Sequence, residues 1–214
     1  MSDNLKIAKL LVDNDIVQFN VKEPFRYTSG ILSPIYTNCR AIMSLVAVRT
    51  KVIEGLTSIV KKQYTGYDGF SGTASAGIPW AAFLSDKMGK SMIYVREKPK
   101  DHGMKKQIEG RFNKGGTFII AEDHITTGGS IIAEANILRD AGLSVNDCIA
   151  IFTYDLPEAK EKLADASITA TTLTNINDAI TVSLNEGKLS EADSKTIIEW
   201  LNDPRSWSEK AEKR

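Results

Sequence analysis

The stretch AEDHITTGGS, residues 121 to 130, follows the apolar run Phe118–Ile120 and decides the fold. The apolar run, extended to Ala121, has the length and composition of a buried strand. Ser130 is suited to N-cap a helix directly after the glycines, and Gly142 is suited to the C′ position that ends that helix. A buried strand that turns sharply into a capped helix is the unit from which mainly parallel sheets are built.

The rest of the chain repeats this alternation of strands and helices. Helices are predicted near 3–14, 46–62, 77–88, 131–141, 156–166, 175–186 and 190–202, and strands near 69–72, 92–95, 118–121, 149–153 and 167–172. Residues 24–40 are predicted to form a loop or short hairpin, and 96–116 a long polar loop. The pattern predicts an α/β fold with a mainly parallel central sheet covered by helices, and ligands collect at the carboxyl ends of such strands.

Composition restricts the class of protein. The 214 residues suit one domain over 1–214, and the 27 basic residues balance the 27 acidic ones, which argues against a nucleic-acid partner. The longest apolar run, 78–84, is far shorter than the roughly 20 residues that span a bilayer, and the N-terminus lacks a signal-peptide core, so no membrane association is expected. Cys39 and Cys148 stand far apart and are interpreted as reduced thiols of a cytoplasmic protein, with a structural disulfide as the lesser alternative.

AEDHITTGGS also predicts a ligand. The backbone N–H groups and hydroxyls of Thr126–Ser130 would meet at a helix N-terminus, which is a favourable site for a phosphate. Glu122 and Asp123 stand directly before that loop and can accept hydrogen bonds from the vicinal hydroxyls of a sugar. Together these features describe a site for ribose 5-phosphate. The alternative is a polar strand-to-helix turn with incidental threonines. A Walker loop is excluded because the lysine of GxxxxGK(S/T) is absent, and the GxGxxG motif is absent too.

The same stretch resembles the ribose-phosphate signature of the type I phosphoribosyltransferases, in which an apolar strand, two acids and a Thr-rich glycine loop follow one another. The resemblance implies that the ligand is 5-phospho-α-D-ribose 1-diphosphate (PRPP), with Mg²⁺ carried on PRPP and no protein side chain assigned as its direct ligand. The PRPP-binding residues implied here are Glu122, Asp123, His124, Ile125, Thr126, Thr127, Gly128, Gly129 and Ser130.

The polar segment YVREKPKDHGMKKQIEG, residues 94 to 110, predicts a mobile cationic loop able to close over a diphosphate. A solvated charged loop is the alternative. The segment resembles the catalytic loop of the orotate phosphoribosyltransferases, which implies PRPP binding by Arg96, Lys100 and His102. Lys100 and His102 are the implied catalytic residues, with Lys100 stabilising the departing diphosphate. In that family the loop reaches the partner subunit's site, so the resemblance also implies a homodimer.

Two further segments match the same family. FRYTSGILSPIYTNCR, residues 25 to 40, resembles its N-terminal motif, within a small N-terminal hood over about 1–40; a structural aromatic hairpin is the alternative. The orotate-binding residues implied are Ser29, Gly30, Tyr36 and Thr126. FSGTASAG, residues 70 to 77, resembles the small-residue loop that approaches the diphosphate, and the residues implied there are Gly72, Thr73 and Ala74.

Several positions depart from the family pattern. Leu32 and Glu97 stand where lysines are common, and Asn38-Cys39 replaces a usual Asp-Asn pair. His124 stands where an aliphatic residue is usual, and we interpret it as a tolerated substitution whose imidazole is held by Glu122 or Asp123. Leu32 and Glu97 leave a catalytically weakened paralogue as an alternative.

Taken over nearly the whole chain, the resemblance implies the type I phosphoribosyltransferase fold with a hood and a mobile loop. The implied activity is transfer of the phosphoribosyl group from PRPP to orotate, giving orotidine 5′-phosphate and diphosphate in pyrimidine synthesis. The alternatives are a purine phosphoribosyltransferase and a PRPP-sensing regulator on the same fold. A regulator of that kind is expected to carry a DNA-binding extension or a broad basic face.

Overall fold

The structure is a computed structural model that describes residues 1–27, 29–98 and 107–213. The chain divides into two compact units, one formed by Arg49–Leu173 and the other by Met1–Val48 together with Thr174–Arg214. The helices are α1 Asp3–Asp13, α2 Val46–Gln63, α3 Ile78–Met88, α4 Gly129–Asp140, α5 Pro157–Asp165, α6 Ile176–Asn185, α7 Glu191–Asn202 and α8 Pro204–Ala211. The strands are β1 Val17–Phe19, β2 Phe25–Arg26, β3 Leu32–Ser33, β4 Ile35–Thr37, β5 Gly69–Thr73, β6 Ser91–Val95, β7 Ile108–Glu109, β8 Thr117–Ile125, β9 Ser144–Thr153 and β10 Thr169–Asn175, and a 3₁₀ helix covers Cys39–Ser44.

A six-stranded sheet in the order β10-β9-β8-β5-β6-β7 forms the centre of the Arg49–Leu173 unit. β5 pairs in parallel with both β6 and β8, and β8 pairs in parallel with β9. β7 is antiparallel to β6 at the edge. The α/β class and the mainly parallel sheet predicted from the sequence are therefore confirmed.

The sheet is buried because its strands are nearly continuous apolar runs, as expected where helices cover both faces. Phe70 of β5, Ile120 of β8 and Phe152 of β9 are completely buried. Gly69 allows β5 to lie against its neighbour, since a Cβ atom there would stand 2.4 Å from the carbonyl oxygen of Ser91.

The start of α4 differs from the sequence prediction. Gly128, and not Ser130, is the N-cap residue, and Ser130 lies in the first turn of the helix. The reason is conformational: Gly128 has a φ of 76°, in the left-handed region that glycine enters without strain, so the chain turns into the helix earlier than a serine cap would allow. The other end matches the prediction, since Gly142 follows the C-cap Ala141 with a φ of 86°.

Several other elements also differ from the predicted boundaries, among them β9, which begins at Ser144 and not near 149. β8 continues to Ile125, so the two acids of the AEDHITTGGS stretch lie inside the strand. β7 lies within the predicted loop 96–116, because Ile108 and Glu109 pair with the end of β6. α8 was missed, although Asp203 caps it by accepting a hydrogen bond from the Ser206 N–H group at 3.0 Å.

The other unit confirms the hairpin expected over 24–40, since β2 pairs with β3 and β1 with β4, both antiparallel. Helix α1 is confirmed, and Ser190 caps α7 as predicted. The indole N–H group of Trp200 donates to the Leu32 carbonyl at 2.9 Å and ties α7 to β3. Cys39 and Cys148 are both buried, and neither forms a disulfide. Among the described residues, every helix is too short or too polar to cross a bilayer.

Candidate active site

The carboxyl ends of β5, β6 and β8 meet at one edge of the sheet. In the parallel register Gly72 stands beside Ala121, and Thr73 stands beside Val95. A cleft of about 220 Å³ opens at this edge. Its lining includes Thr73, Ala74, Arg96, Glu97, Ser130 and Glu134. Residues that the sequence assigned to the diphosphate loop, the cationic loop and the ribose-phosphate loop therefore come together in one place.

The predicted diphosphate loop, Gly72–Gly77, connects β5 to α3 and requires glycine at both ends. A Cβ atom on Gly72 would lie 2.7 Å from the Cα of Ile78, and one on Gly77 would lie 2.3 Å from the carbonyl oxygen of Ala121. The Gly77 N–H group donates to the Thr73 carbonyl at 2.8 Å, which closes the loop. The peptide bond between Ala74 and Ser75 is cis. The chain thus makes a tight turn with its backbone at the edge of the cleft.

The Thr126–Ser130 segment forms the turn between β8 and α4, as predicted. The end of β8 is fixed by the Tyr154 N–H group, which donates to the Ile125 carbonyl at 3.0 Å. Thr127, Gly129 and Ser130 are exposed. The first N–H groups of a helix lack intrahelical partners and carry the positive end of its dipole, so this terminus can bind an anion.

Glu122 and Asp123 are both buried, each with 5% of its surface exposed. Burial raises the pKa of Glu122 to about 8, and the negative charge of Asp123 raises it further than burial alone. Burial also acts to raise the pKa of Asp123, but the contact with His124 outweighs it and the pKa is lowered. At neutral pH the pair therefore holds one ionised carboxylate and one carboxyl that tends to keep its proton.

His124 is held as the sequence interpretation expected, and Asp123 is the acid that holds it. The imidazole Nδ1 lies 3.0 Å from Asp123 Oδ1. The backbone N–H group of His124 donates to the same oxygen at 2.7 Å. The ring also lies 6.2 Å from that of Tyr154. His124 thus favours the charged form of its neighbour.

Arg96 marks the beginning of the predicted cationic loop and reaches the cleft. Its backbone N–H group donates to the Gln107 carbonyl at 3.0 Å, and the Gln107 amide returns a hydrogen bond to the Arg96 carbonyl at 2.8 Å. Its guanidinium lies 3.7 Å from Glu109. The two ends of the loop are therefore joined at the edge of the sheet. Lys100 and His102, the predicted catalytic residues, lie outside the described residues.

The predicted orotate-binding residues Ser29, Gly30 and Tyr36 belong to the Met1–Val48 and Thr174–Arg214 unit. Ser29 and Gly30 are exposed in the turn between β2 and β3, where Gly30 has a φ of 89°. Tyr36 is 40% exposed, and its ring packs 5.3 Å from that of Phe25. These are properties of an accessible aromatic surface. Thr126, the fourth predicted residue, lies in the turn after β8.

Sequence reasoning missed Glu134 and Ser71. The Glu134 carboxyl is buried, with 2% exposed, and accepts hydrogen bonds from Ser71 Oγ and Thr73 Oγ1. Burial raises its pKa to about 7, against the opposing effect of the two hydroxyls. A signal was present in the sequence, because position 134 falls three residues after Ile131 on the face of α4 that was predicted to be apolar.

Comparison with known proteins identifies the family. No protein-family model matches the chain. The chain is 43% identical to the orotate phosphoribosyltransferase of Coxiella burnetii over 207 residues, which cover 97% of this chain and 99% of that protein. It is also 43% identical over 202 residues to the enzyme of the same name from Enterococcus faecalis, covering 94% and 96% of the two chains. The chain belongs to the orotate phosphoribosyltransferase family.

Solved structures agree with this assignment. The orotate phosphoribosyltransferase from Aeropyrum pernix superposes with a TM-score of 0.73 at 26% identity, covering 86% of this chain and 99% of that one. The type I phosphoribosyltransferase fold predicted from the sequence is therefore confirmed. The curated relatives that cover nearly the full chain carry the orotate name, so the purine alternative is not favoured.

Proposed function

We propose that the chain catalyses transfer of the 5-phosphoribosyl group from PRPP to orotate, giving orotidine 5′-phosphate and diphosphate. One observation supports this above the others. The strand ends of β5, β6 and β8 bring Thr73, Arg96 and Ser130 to one cleft, and the buried acidic pair lies on β8. The chain is also about two-fifths identical to enzymes of that name over nearly its full length.

Each group has a defined task in this reaction. The N-terminus of α4 and the Thr126–Ser130 hydroxyls bind the 5-phosphate, which fixes the anomeric carbon for attack by the pyrimidine nitrogen. The loop Gly72–Ala74 and Arg96 receive the diphosphate. Asp123, which is held ionised, accepts hydrogen bonds from the ribose hydroxyls and stabilises positive charge on the sugar in the transition state. Lys100 and His102 belong to the loop that closes over the leaving group.

The donor set fits a magnesium ion that arrives with PRPP. Mg²⁺ prefers oxygen ligands and keeps several of its waters, and the carboxylate of Asp123 is an ionised oxygen donor near the predicted ribose site. The ion would neutralise charge on the diphosphate and orient it against the sugar. Glu122 and Asp123 are placed near that ion without being assigned as its direct ligands.

We further propose that the protein acts in the cytoplasm as a homodimer in which each catalytic loop serves the partner's site. The ends of the predicted loop support this, since Arg96 and Gln107 are hydrogen-bonded to each other at the edge of the sheet. Ser29, Gly30 and Tyr36 supply the wall for the flat pyrimidine acid. Cys39 and Cys148 are buried without forming a disulfide, which suits a reducing compartment.

The test is a spectrophotometric assay with PRPP, Mg²⁺ and orotate. We expect the orotate absorbance to fall in proportion to the diphosphate released, and no reaction when PRPP is omitted. Parallel reactions with hypoxanthine and guanine provide the control for base specificity. Turnover with a purine base and none with orotate would contradict the proposal, and slow turnover with orotate would identify the weakened paralogue that Leu32 and Glu97 suggest.

A further inference from the structure

Glu134 is a buried carboxyl that the proposed chemistry does not use. It lies on α4, one turn beyond the start of the helix, with apolar neighbours Ile131 and Leu138 on the same face. Its two oxygens accept hydrogen bonds from the hydroxyls of Ser71 and Thr73. These two residues are separated by one position in β5, so their side chains lie on the same face of the strand. One carboxyl thus joins a helix to two successive positions of the central strand.

Stability alone does not explain this residue. A buried carboxyl loses its hydration, and two neutral hydroxyls replace it incompletely. An apolar group of similar size, with apolar partners, would fill the same space at equal or higher stability. The arrangement instead specifies geometry, because hydrogen bonds to both oxygens fix the carboxyl plane and therefore the position of α4 along β5.

The two elements that Glu134 joins carry the two anion-binding loops. α4 begins at the Thr126–Ser130 turn, and β5 ends at Thr73, where the loop through Ala74 begins. PRPP carries a phosphate at one end of the ribose and a diphosphate at the other, so both loops must stand at a fixed separation.

We propose that Glu134 is a positioning residue for PRPP, which sets the separation of the 5-phosphate loop and the diphosphate loop through its hydrogen bonds to Ser71 and Thr73. The inference rests on the proposed function, since it assumes PRPP as the ligand. Glu134 lines the cleft floor beside Thr73 and Ser130, and it acts through the loops and not on the reacting atoms.

The test compares Glu134→Ala with Leu138→Ala. Leu138 is completely buried in the same helix, so its replacement by alanine creates a cavity there and serves as the control for lost stability. We expect Glu134→Ala to raise the KM for PRPP about tenfold, with the KM for orotate changed less than about twofold, because only the donor spans both loops. Leu138→Ala should lower the melting temperature at least as much and leave the KM for PRPP nearly unchanged. Direct titration of Mg²⁺-PRPP by calorimetry should reproduce the tenfold loss of affinity.

The conservative variant Glu134→Gln should recover most of the PRPP affinity, since its amide can accept from one hydroxyl and donate to the other. If Glu134→Ala does not fold, the cycle of Glu134→Leu, Ser71→Ala and the double variant replaces it, since leucine keeps the volume of the side chain and removes both hydrogen bonds. Effects on the KM for PRPP that are clearly non-additive support the inference, and additive effects overturn it.

Two further outcomes separate this inference from the proposed function. A wild-type chain that binds no PRPP overturns both. Wild-type binding of PRPP, together with a Glu134→Ala variant that is less stable but has an unchanged KM for PRPP, overturns the positioning role alone. If Glu134→Ala raised the KM for orotate as much as the KM for PRPP, the positioning role would also be overturned, because the change would indicate general disorder of the cleft.

Discussion

Three carboxyls at one end of the sheet differ in charge because their surroundings differ. Burial raises the pKa of Glu122 to about 8 and that of Glu134 to about 7, whereas the contact with His124 lowers the pKa of Asp123 despite its burial. A site that binds two phosphate groups gains from this distribution, since fewer full negative charges oppose the ligand. One ionised acid remains for the sugar. This explains how acids can directly precede an anion-binding loop.

Glu134 gives a prediction about pH and stability. Its pKa is about 7 in the folded protein and 4.5 when unperturbed, so the unfolded chain releases the proton first as pH rises. The free energy of unfolding therefore falls between about pH 4.5 and pH 7, by about 3 kcal/mol from this group, and is constant above that range. We expect Glu134→Gln, which stays neutral, to gain about 3 kcal/mol relative to wild type between pH 5 and pH 8.

Urea denaturation at pH 5 and pH 8 measures the free energy of unfolding of both proteins. Subtracting the wild-type values removes the contribution of the other groups, which titrate in both proteins. Leu138→Ala is the control, since an uncharged cavity should lower the free energy of unfolding by a similar amount at pH 5 and pH 8. If the difference between wild type and Glu134→Gln is the same at both values, Glu134 is ionised in the folded protein throughout the range.

At the scale of elements, the β5–α3 connection requires close approach of backbone atoms, which leaves no space for a side chain at Gly77. A Cβ atom at Gly77 would stand 2.3 Å from the Ala121 carbonyl oxygen and 2.7 Å from the Thr73 nitrogen, and both atoms belong to central strands. We expect Gly77→Ala to lower the free energy of unfolding by about 3 kcal/mol, as measured by urea denaturation. The displaced loop should also lower kcat/KM for PRPP by at least about tenfold.

Gly129→Ala is the matched control for stability. Its Cβ atom would meet only Thr127 Oγ1, at 3.9 Å, so alanine in the first turn of α4 should leave stability unchanged or raise it by up to about 1 kcal/mol. A Gly77→Ala variant as stable as Gly129→Ala would mean that the two strands do not approach the loop as closely as the structure indicates.

The sequence predicted most elements because local signals were strong, and it failed where a distant partner decided the outcome. Periodicity located α1, α2 and α4, and a buried apolar run located β8. β7 was missed because it depends on pairing with β6 across a polar loop. Glu134 was missed because its partners, Ser71 and Thr73, lie about 60 residues earlier in the chain, and only the packing of α4 on the sheet brings them together.

At the scale of the whole molecule, two of the three loop residues assigned to PRPP lie outside the described residues. The cleft contains Arg96 and Glu97, and the predicted catalytic pair Lys100 and His102 belongs to the loop whose two ends are joined at Arg96 and Gln107. In a symmetric dimer each loop can serve either its own cleft or that of the partner. If each loop serves the partner's cleft, one complete site takes Lys100 from one chain and Asp123 from the other. If each loop serves its own cleft, both residues come from the same chain. Mixed dimers of two variants distinguish the two arrangements.

Lys100→Ala and Asp123→Asn should each reduce activity strongly. The first removes the cation that stabilises the departing diphosphate, and the second removes the carboxylate that accepts hydrogen bonds from the ribose hydroxyls. When the two variants are refolded together in equal amounts, half of the dimers are mixed, and loop exchange gives each mixed dimer one site with both residues intact. We expect recovery of about a quarter of wild-type turnover, in the orotate assay, and none when either variant is refolded alone. Activity that stays at the level of the separate variants, with mixed dimers verified by differently tagged chains, would mean that each loop serves its own subunit.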